Sequence, residues 1–321
     1  MANEVSMMNT DTKVYHAARD GSPDLKGLLK RLTADKQKTA LKTETKDGGH
    51  SVTPLIIAAF NGHLDSVKIL LKYGADIDAK GTLMVEDLAF ENTALFAAAY
   101  NRHLAVVKFL IKQNADIDAR GSVTYEDGSV LKDFSPLFAA ISIKELDVVK
   151  ILIERHADIE ARSTLNIDEF VFEGLTPLIF AALHDTLDVM KLLIERNADI
   201  EARATVKTDE ELFELFEGFT PLIIAALYDK PDVMKLLIER NADIEARATV
   251  KTNEVLFEGC TPLIVAALYD KHDVMKLLIE QNADIEARAT VKTDKELFEG
   301  CTPLIVAALY DKPDVMKLLI E

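Results

Sequence analysis

Residues 220–260 read TPLIIAALYDKPDVMKLLIERNADIEARATVKTNEVLFEGC, and residues 261–301 repeat this stretch with six changes in 41 positions. Segments of this kind begin with Thr or Ser, then Pro or Ala, then Leu. Seven of them begin, at spacings of 40, 42, 41, 44, 41 and 41 residues, at Thr53, Thr93, Ser135, Thr176, Thr220, Thr261 and Thr302. A fixed period of this length indicates one array of stacked units rather than the two domains that 321 residues would otherwise suggest.

Each unit predicts two helices in succession. Thr220 suits the N-cap of a helix and Pro221 its first turn, so we predict a first helix over Leu222–Leu227. After a break, apolar residues at helical spacing predict a second helix over Asp232–Arg240. Asn241 then stands where a helix often ends in a left-handed residue.

The rest of each unit is predicted to leave the helix and form a hairpin. Residues 242–247 are expected to be extended, and residues 249–250 and 256–257 to form two hairpin arms. This order of helix, helix and hairpin resembles the ankyrin repeat, and the resemblance covers nearly the whole chain. It implies an all-α ankyrin-repeat solenoid of helix-turn-helix units, with extended β-hairpin fingers and a period of 40–44 residues.

The predicted array is a single domain over residues 13–321, preceded by a flexible tail at residues 1–12. Its units are 13–52, which is polar and atypical, then 53–92, 93–134, 135–175, 176–219, 220–260, 261–301 and a partial 302–321. Ankyrin units usually span about 33 residues, so the excess here should lengthen every finger. The His of the usual Thr-Pro-Leu-His is replaced by Ile or Phe, so apolar packing should replace its polar contact. Because the last unit stops within its second helix, we expect the chain to belong to a longer protein.

Composition and charge limit the function classes. The chain is 49% hydrophobic and 28% charged, which is typical of a packed soluble protein. Its net charge of −17 disfavours nucleic acids and anionic membranes as partners. There are two cysteines, no signal peptide is recognisable, and no apolar run is long enough to span a membrane. We expect an intracellular, cytoplasmic protein, with the nucleus left open.

No catalytic motif is present in the sequence, so we expect no enzyme, no cofactor and no small-molecule substrate. Asp76, Asp78 and Gly81 have EF-hand spacing, but Lys80 falls among the calcium ligands, and packing of the repeat explains the pattern better. His63 and His103 are interpreted as turn residues rather than metal ligands. Cys260 and Cys301 precede Thr-Pro in a slot that Phe134, Leu175 and Phe219 fill elsewhere, so we interpret the slot as packing.

Two sets of residues are candidates for binding a partner. The first set follows the Ala-Ala pair of each first helix by two positions and should face a concave groove; it consists of Asn61, Asn101, Ser142, His184, Tyr228, Tyr269 and Tyr310. Tyrosine is common at binding hot spots, so the last three are the strongest candidates. The second set lies in acidic fingers and consists of Glu86, Asp87, Glu126 and Asp127. Such fingers either recruit basic peptides or only form a solvated face.

The first third of the chain resembles the fem family, which comprises ankyrin substrate receptors of cullin ubiquitin ligases. The resemblance lies in Ala17–Gly21, in Thr53–Leu71 and in the long finger Gly81–Asn92. It implies that an acidic residue of the first finger, Glu86 or Asp87, holds a basic C-terminal degron.

The fem resemblance covers about residues 13–118, and the rest of the chain departs from that family. Every later unit keeps its long finger, Ile143 stands near the place of a further acidic groove residue, and no cullin-recruiting box is found. Three hypotheses follow. The first is a non-catalytic scaffold that binds proteins or peptides, basic ones included, in its groove and at its fingertips. The second is a fem-like ligase receptor, and the third is the targeting array of a longer enzyme.

Overall fold

A computed structural model describes residues 10–42, 45–47, 50–85, 88–167, 170–208, 215–252, 255–293 and 295–320. The chain divides into two compact units, Met1–Asp158 and Ile159–Glu321. The domain prediction above, a single array over residues 13–321, remains a prediction.

The first unit contains nine helices and six strands among its described residues. The helices are α1 (Thr10–Arg19), α2 (Leu25–Lys30), α3 (Ala34–Lys42), α4 (Pro54–Phe60), α5 (Leu64–Lys72), α6 (Ala94–Tyr100), α7 (Leu104–Lys112), α8 (Pro136–Ser142) and α9 (Leu146–Glu154). The strands are β1 (Thr45–Asp47), β2 (His50–Val52), β3 (Gly81–Val85), β4 (Leu88–Asn92), β5 (Gly121–Thr124) and β6 (Val130–Phe134).

The second unit repeats the same order of elements, with eight helices and eight strands in its described part. The helices are α10 (Pro177–Leu183), α11 (Leu187–Glu195), α12 (Pro221–Leu227), α13 (Pro231–Glu239), α14 (Pro262–Leu268), α15 (His272–Glu280), α16 (Pro303–Leu309) and α17 (Pro313–Ile320). The strands are β7 (Ser163–Ile167), β8 (Phe170–Leu175), β9 (Ala204–Thr208), β10 (Leu215–Phe219), β11 (Ala248–Lys251), β12 (Val255–Cys260), β13 (Ala289–Thr293) and β14 (Leu297–Cys301).

The first helix of each repeat is fixed by its cap, as predicted. In α12, the hydroxyl of the N-cap Thr220 accepts a hydrogen bond from the backbone N–H of Ile223 at 3.3 Å, and Pro221 fills the first position. Ile223 occupies the His position of the usual motif and is fully buried, so apolar packing does replace the polar contact there. Ser135 is an exception, because its buried hydroxyl makes no hydrogen bond to any residue that the structure describes.

Second helices pack one face on the core. In α13 the buried residues are Val233, Met234, Leu236 and Leu237, which include the three whose helical spacing predicted the apolar face, Val233, Leu236 and Leu237. The helix begins at Pro231, one residue before the predicted start. It is followed by the predicted left-handed residue, because Asn241 has a φ of +64°.

The fingers form regular antiparallel sheets, so the description of the fold as all-α was imprecise. Each strand pairs with its neighbours in chain order, β1 to β6 in the first unit and β7 to β14 in the second. A finger therefore bonds to the next finger as well as within itself. In β10, for example, Phe216 faces Val206 on one side and Val250 on the other. Each repeat has roughly 7 to 11 more residues than the usual period, and these extra residues make the strands long enough to pair.

The segment after each second helix is a tight turn and not the extended segment that its sequence predicts. In the repeat at 242–247, the N–H of Ala246 bonds to the carbonyl of Asp243 at 3.1 Å, and the carboxylate of Asp243 accepts from the N–H of Glu245 at 3.0 Å. An Asp side chain commonly closes a turn in this way. The alternation of apolar and charged residues over 242–247 therefore belongs to a turn with one buried side and not to a strand.

Two ladders of hydrogen bonds join consecutive repeats at this turn. In the first ladder, a carboxylate accepts from the backbone N–H of the equivalent Asp in the next repeat, at 2.8–2.9 Å. Its rungs are Asp78 to Asp116, Asp118 to Asp158, Glu160 to Asp199, Glu201 to Asp243 and Glu245 to Asp284. The carboxylates that give the EF-hand spacing are therefore structural: Asp78 forms one of these rungs, and Asp76 closes its own turn by accepting from the N–H of Asp78 at 3.2 Å.

The second ladder is made of guanidinium groups in the second unit. Arg247 Nη1 donates to the carbonyl of Gly259 in its own finger and to that of Arg288 in the next repeat, both at 2.9 Å. Arg203 makes the equivalent pair of bonds to Gly218 and Arg247. Hydrogen bonds from a charged donor are stronger than neutral ones, so each arginine fixes a finger to its neighbour.

Asp118 should make stability depend on pH in a recognisable direction. Burial raises the pKa of its carboxyl above 3.8, although the hydrogen bond from the N–H of Asp158 opposes this rise. A raised pKa means that the stabilising contribution is complete below pH 3.8 and is lost as pH rises through the folded-state pKa. We expect Asp118→Asn, which keeps the acceptor oxygen, to raise the melting temperature at pH 7 and to lose that advantage towards pH 3.

Asp127 offers a control of opposite sign for this measurement. Hydrogen bonds from Ser129 lower the pKa of Asp127, so its contribution is present above pH 3.8 and is lost as pH falls through the lowered pKa. Melting curves of Asp118→Asn and Asp127→Asn, recorded by circular dichroism from pH 3 to 7, should therefore diverge. A pH-independent effect of Asp118→Asn would contradict the assignment.

The N-terminal region differs from its prediction in two ways. Helix α1 begins at Thr10, inside the predicted tail, and α3 follows α2 as a third helix where a simple two-helix unit was expected. Gln37 in α3 donates from Nε2 to the carbonyls of Leu29 and Leu32, which ties this helix to the end of α2. Separately, none of the described helices is both long and apolar enough to cross a bilayer.

Candidate functional site

The residues of the first candidate set lie at the C-terminal ends of the first helices. One residue caps each of these helices, and the caps are Asn61, Asn101, Ile143, His184, Tyr228, Tyr269 and Tyr310. Six of the seven predicted positions are thus structurally equivalent. Ser142 is not, because it is the last helical residue of α8, and Ile143 takes the cap position. The Ala-Ala pair of α8 lies one residue closer to its N-cap than the pairs of the other first helices do. Counting two positions from this pair therefore gave Ser142 instead of Ile143.

The polar members in the first unit use their side chains on nearby backbone. Asn61 Nδ2 donates to the carbonyl of Arg19 at 3.0 Å, Asn101 Nδ2 to that of Ala97 at 3.1 Å, and Ser142 Oγ to that of Ala139 at 2.8 Å. Asn61 is exposed, whereas Asn101 and Ser142 are half-buried. These side chains satisfy helix-end carbonyls, which is a structural task.

The three tyrosines of the second unit form what we call the tyrosine stripe, residues Tyr228, Tyr269 and Tyr310. Their backbone conformations are nearly identical, with φ from −98° to −105° and ψ from 12° to 14°, so the side chains leave equivalent helices in the same direction. Tyr228 is 44% exposed and Tyr310 is 37% exposed, while Tyr269 is half-buried. Partial burial raises the pKa of the Tyr228 and Tyr310 hydroxyls.

The fingers hold the stripe in place from one side. The ring of Tyr269 lies 6.4 Å from that of Phe216 in β10, and the ring of Tyr310 lies 6.0 Å from that of Phe257 in β12. Phe216 and Phe257 are themselves buried between fingers and helices. Tyr269 and Tyr310 therefore stand at the junction of a finger and a helix end, where a phenylalanine supports the ring and part of the side chain stays exposed.

His184 occupies the same cap position one repeat before Tyr228. It is exposed, and its ring lies 4.3 Å from that of Phe180 one helical turn earlier. The second unit therefore presents four ring-bearing caps in succession, of which three are tyrosines.

The acidic finger residues are only partly within the described chain. Glu126 and Asp127 are exposed at the turn between β5 and β6. There Asp127 Oδ1 accepts from the N–H of Ser129 at 2.8 Å, so one carboxylate oxygen shapes the turn. The other candidates, Glu86 and Asp87, lie outside the residues that the structure describes.

An aromatic cluster in the first unit was missed by the sequence analysis. The rings of Phe90, Phe96, Tyr100, Phe134 and Phe138 follow one another at centroid distances of 4.6–6.2 Å. Tyr125, in the next finger, has its pKa raised by burial and by its neighbours Tyr100 and Asp127. The recurrence of Phe in and before the first helices was the sequence signal for this cluster. That pattern does not reveal that Phe96 of a helix contacts rings from two fingers, Phe90 and Phe134.

His103 and Lys230 each contact backbone carbonyls of the preceding repeat. His103 Nε2 lies 2.8 Å from the carbonyl of Phe60 in the preceding repeat, which fits its interpretation as a turn residue. In the second unit, Lys230 takes the equivalent place, and its Nζ contacts the carbonyls of Ala182 and Leu183 at 3.2 and 2.5 Å. Across the described ranges, no three His, Cys, Asp or Glu side chains come together as a metal site would require.

Cys260 and Cys301 are free thiols buried in the slot before the N-cap. Burial raises the pKa of Cys260 to about 12, so the thiol stays protonated at pH 8 and is a poor nucleophile. We expect Cys260 of the native Cys301→Ser variant to resist a disulfide reagent such as dithionitrobenzoate, and to react quickly in denaturant. Fast labelling of the native variant would contradict the burial of this thiol.

Comparison with known proteins identifies the repeat. A family model described as "Ankyrin repeats (3 copies)" matches residues 81–163, 137–248 and 246–321, and one described as "Ankyrin repeat" matches residues 51–82. The crystal structure of the human ASB11 ankyrin repeat domain superposes with a TM-score of 0.52 at 22% identity. The superposition covers 84% of this chain and 97% of that one, and it shows a shared fold.

Curated relatives match only a short stretch. "Protein fem-1 homolog A" from Bos taurus is 39% identical over 77 residues, and "Protein fem-1 homolog C" from Mus musculus is 38% identical over 77 residues. Each match covers 24% of this chain. The chain therefore spans only 11% and 12% of the lengths of these two relatives.

Proposed function

The chain belongs to the ankyrin repeat family, whose repeats bind other proteins, and on that premise we propose that it is a non-catalytic scaffold that binds a protein or peptide along the tyrosine stripe. One observation carries the proposal. Tyr228 and Tyr310 are large aromatic side chains that remain 44% and 37% exposed at equivalent positions of two first helices. An exposed tyrosine on a rigid support favours binding, because it offers a partner apolar area with little loss of side-chain entropy.

The net charge of −17 supports a partner with basic residues. Like charges on stacked units add to one field, which attracts cations and speeds their association. We propose that the exposed fingertip residues Glu126 and Asp127 contribute to this field. The cytoplasm is the compartment that we propose, because Cys260 and Cys301 are free, buried thiols of the kind that a reducing compartment preserves.

Affinity purification with matched variants tests the proposal. The test variant carries Tyr228→Ala, Tyr269→Ala and Tyr310→Ala. The control carries Lys235→Ala, Lys276→Ala and Lys317→Ala, which change exposed second-helix residues at the same repeat spacing. We expect the tyrosine variant to lose partners that the wild type and the lysine variant both retain. Melting curves must show all three proteins folded, and equal recovery of every partner by both variants would refute the proposal.

A second candidate function is a fem-like substrate receptor of a cullin ubiquitin ligase, and the short match to fem-1 proteins favours it. In that case Glu86 or Asp87 would hold a basic C-terminal degron. The test is binding of peptides that end in Arg to a variant with Glu86→Lys and Asp87→Lys. The matched control is Glu126→Lys with Asp127→Lys in the next finger. Loss of binding in the first variant alone supports this function, and retained binding eliminates it.

A further inference from the structure

The spacing of the tyrosine stripe restricts the kind of peptide that can use all of it. Each repeat of the second unit adds two strands to the sheet, and neighbouring strands lie about 4.8 Å apart, so one repeat advances by about 9.6 Å. The first helices α12, α14 and α16 pack directly on one another, and packed helices lie about 8–10 Å apart. A ligand that meets Tyr228, Tyr269 and Tyr310 must therefore repeat every 9–10 Å or so along one face.

Peptide conformations differ in how well they match this repeat. A polyproline II helix has three residues per turn and returns to the same face every 9.3 Å or so. Across three tyrosines it drifts out of step by only about 0.6 Å. An α-helix returns after seven residues and about 10.5 Å, which accumulates a drift of about 2 Å. In a β-strand, the residue three positions on lies about 10 Å away but on the opposite face, so a strand cannot present one side chain per repeat at this distance.

Charge next to the stripe restricts the ligand further. An aspartate follows each tyrosine, at Asp229, Asp270 and Asp311, and so repeats with the same period. Asp229 Oδ1 accepts from the N–H of Val274 at 3.3 Å, and Asp270 Oδ1 lies 3.7 Å from His272 Nε2, so both carboxylates are held by neighbouring groups.

The nearby lysine is directed elsewhere. Lys230 Nζ lies against the carbonyls of Ala182 and Leu183 at the end of α10 and neutralises that helix end. Beside Tyr228, the carboxylate of Asp229 is therefore the charged group that a basic side chain of a ligand would meet, and Asp270 and Asp311 follow the other two tyrosines at the same sequence position.

Resting on the proposed function, we propose that the tyrosine stripe binds a proline-rich segment in the polyproline II conformation, with proline and a basic residue in every triplet. Prolines pack on the tyrosine rings, and the basic side chains reach the adjoining aspartates. Such a segment is already ordered before binding, so it loses little conformational entropy when it packs on the stripe. The rings supported by Phe216 and Phe257 provide a preformed surface for it.

The test uses the full chain and a fluorescent peptide of four Pro-Pro-Arg triplets. The first control peptide contains one Gly inserted after the second triplet, which shifts the register and leaves the charge unchanged. The second replaces Arg by Glu. We expect fluorescence anisotropy to show at least tenfold weaker binding of both controls, and about tenfold weaker binding of the triplet peptide to Tyr269→Ala. Tyr269→Phe, which keeps the ring on Phe216, should lose less.

Because the register control changes only the peptide, the outcome does not depend on any variant folding. Equal affinity for the triplet and shifted peptides, or unchanged affinity of Tyr269→Ala, would overturn the proposal. A random peptide library selected on the wild type and counter-selected on the triple tyrosine variant separates this inference from the proposed function. Enrichment of proline triplets supports the inference. Enrichment of other sequences overturns the polyproline inference but leaves the tyrosine stripe as a binding surface. The proposed function itself is tested separately, by the purification experiment.

Discussion

Gly121→Ala should destabilise the first unit by about 3 kcal/mol, which is within the range measured when an extra methyl is forced into a packed site. Gly121 begins β5 and lies directly against the preceding finger. A methyl group on it would overlap the backbone carbonyl oxygen of Glu91 and the side chain of Asn92. The Asn92 side chain could turn away, but the carbonyl belongs to the paired strand β4 and cannot move without breaking the sheet.

Gly128→Ala is the matched control for this prediction. Gly128 has a φ of +88° at the finger turn, and nothing lies within 4 Å of an added methyl. Its substitution carries only the strain of the left-handed conformation, about 1 kcal/mol. Urea unfolding of the two variants should therefore separate close packing from backbone strain. If Gly128→Ala were the more destabilised of the two, the close approach at Gly121 would be disproved.

Ile264→Ala and Ile305→Ala should differ strongly although the two residues have the same local sequence. Residues 261–271 and 302–312 are identical, and both isoleucines lie in the first turn of a first helix. Ile264 is fully buried, so its truncation leaves a cavity that costs about 3 kcal/mol. Ile305 is 44% exposed, and its truncation should cost about 1 kcal/mol or less.

This comparison removes sequence context as a variable. Helix propensity and capping are equal at the two sites, so only burial against a following repeat differs. The measurement is the free energy of unfolding in urea, followed both by circular dichroism and by hydrogen exchange, because repeat arrays can unfold in parts. Equal losses at the two sites would show that the face around Ile305 is covered in solution.

The sequence predicted the parts of this fold that depend on short-range chemistry. Thr220 with Pro221 favours the start of a helix, and Asn241 favours its end. Both effects depend only on residues a few positions away, so they can be recognised in the sequence. The long period likewise predicted long fingers. That the fingers pair into sheets was not foreseen, since pairing joins residues such as Phe216 and Val250 from different repeats.

The misses have different physical causes, and contact between repeats is the first of them. The turn at Asp243 depends on Glu201 of the preceding repeat, which binds its N–H, and a single unit read alone looks extended. Helix α3 is anchored through Gln37 to the end of α2, and helical pattern alone did not single it out. At the candidate site, position counted from the Ala-Ala pair misplaced Ser142, whereas position counted from the N-cap would have found Ile143.

The two ladders also have a consequence for how such a gene can change. Every rung is built from the same residues, an acid or an arginine in one repeat and backbone in the next, as Glu245 and Arg247 show. A tandem copy of one whole repeat brings its own rungs, and the one junction that it adds is chemically the same as the existing ones. Unequal recombination can therefore add or remove units without creating a foreign junction. The near-identity of 220–260 and 261–301 is what a recent event of this kind leaves behind.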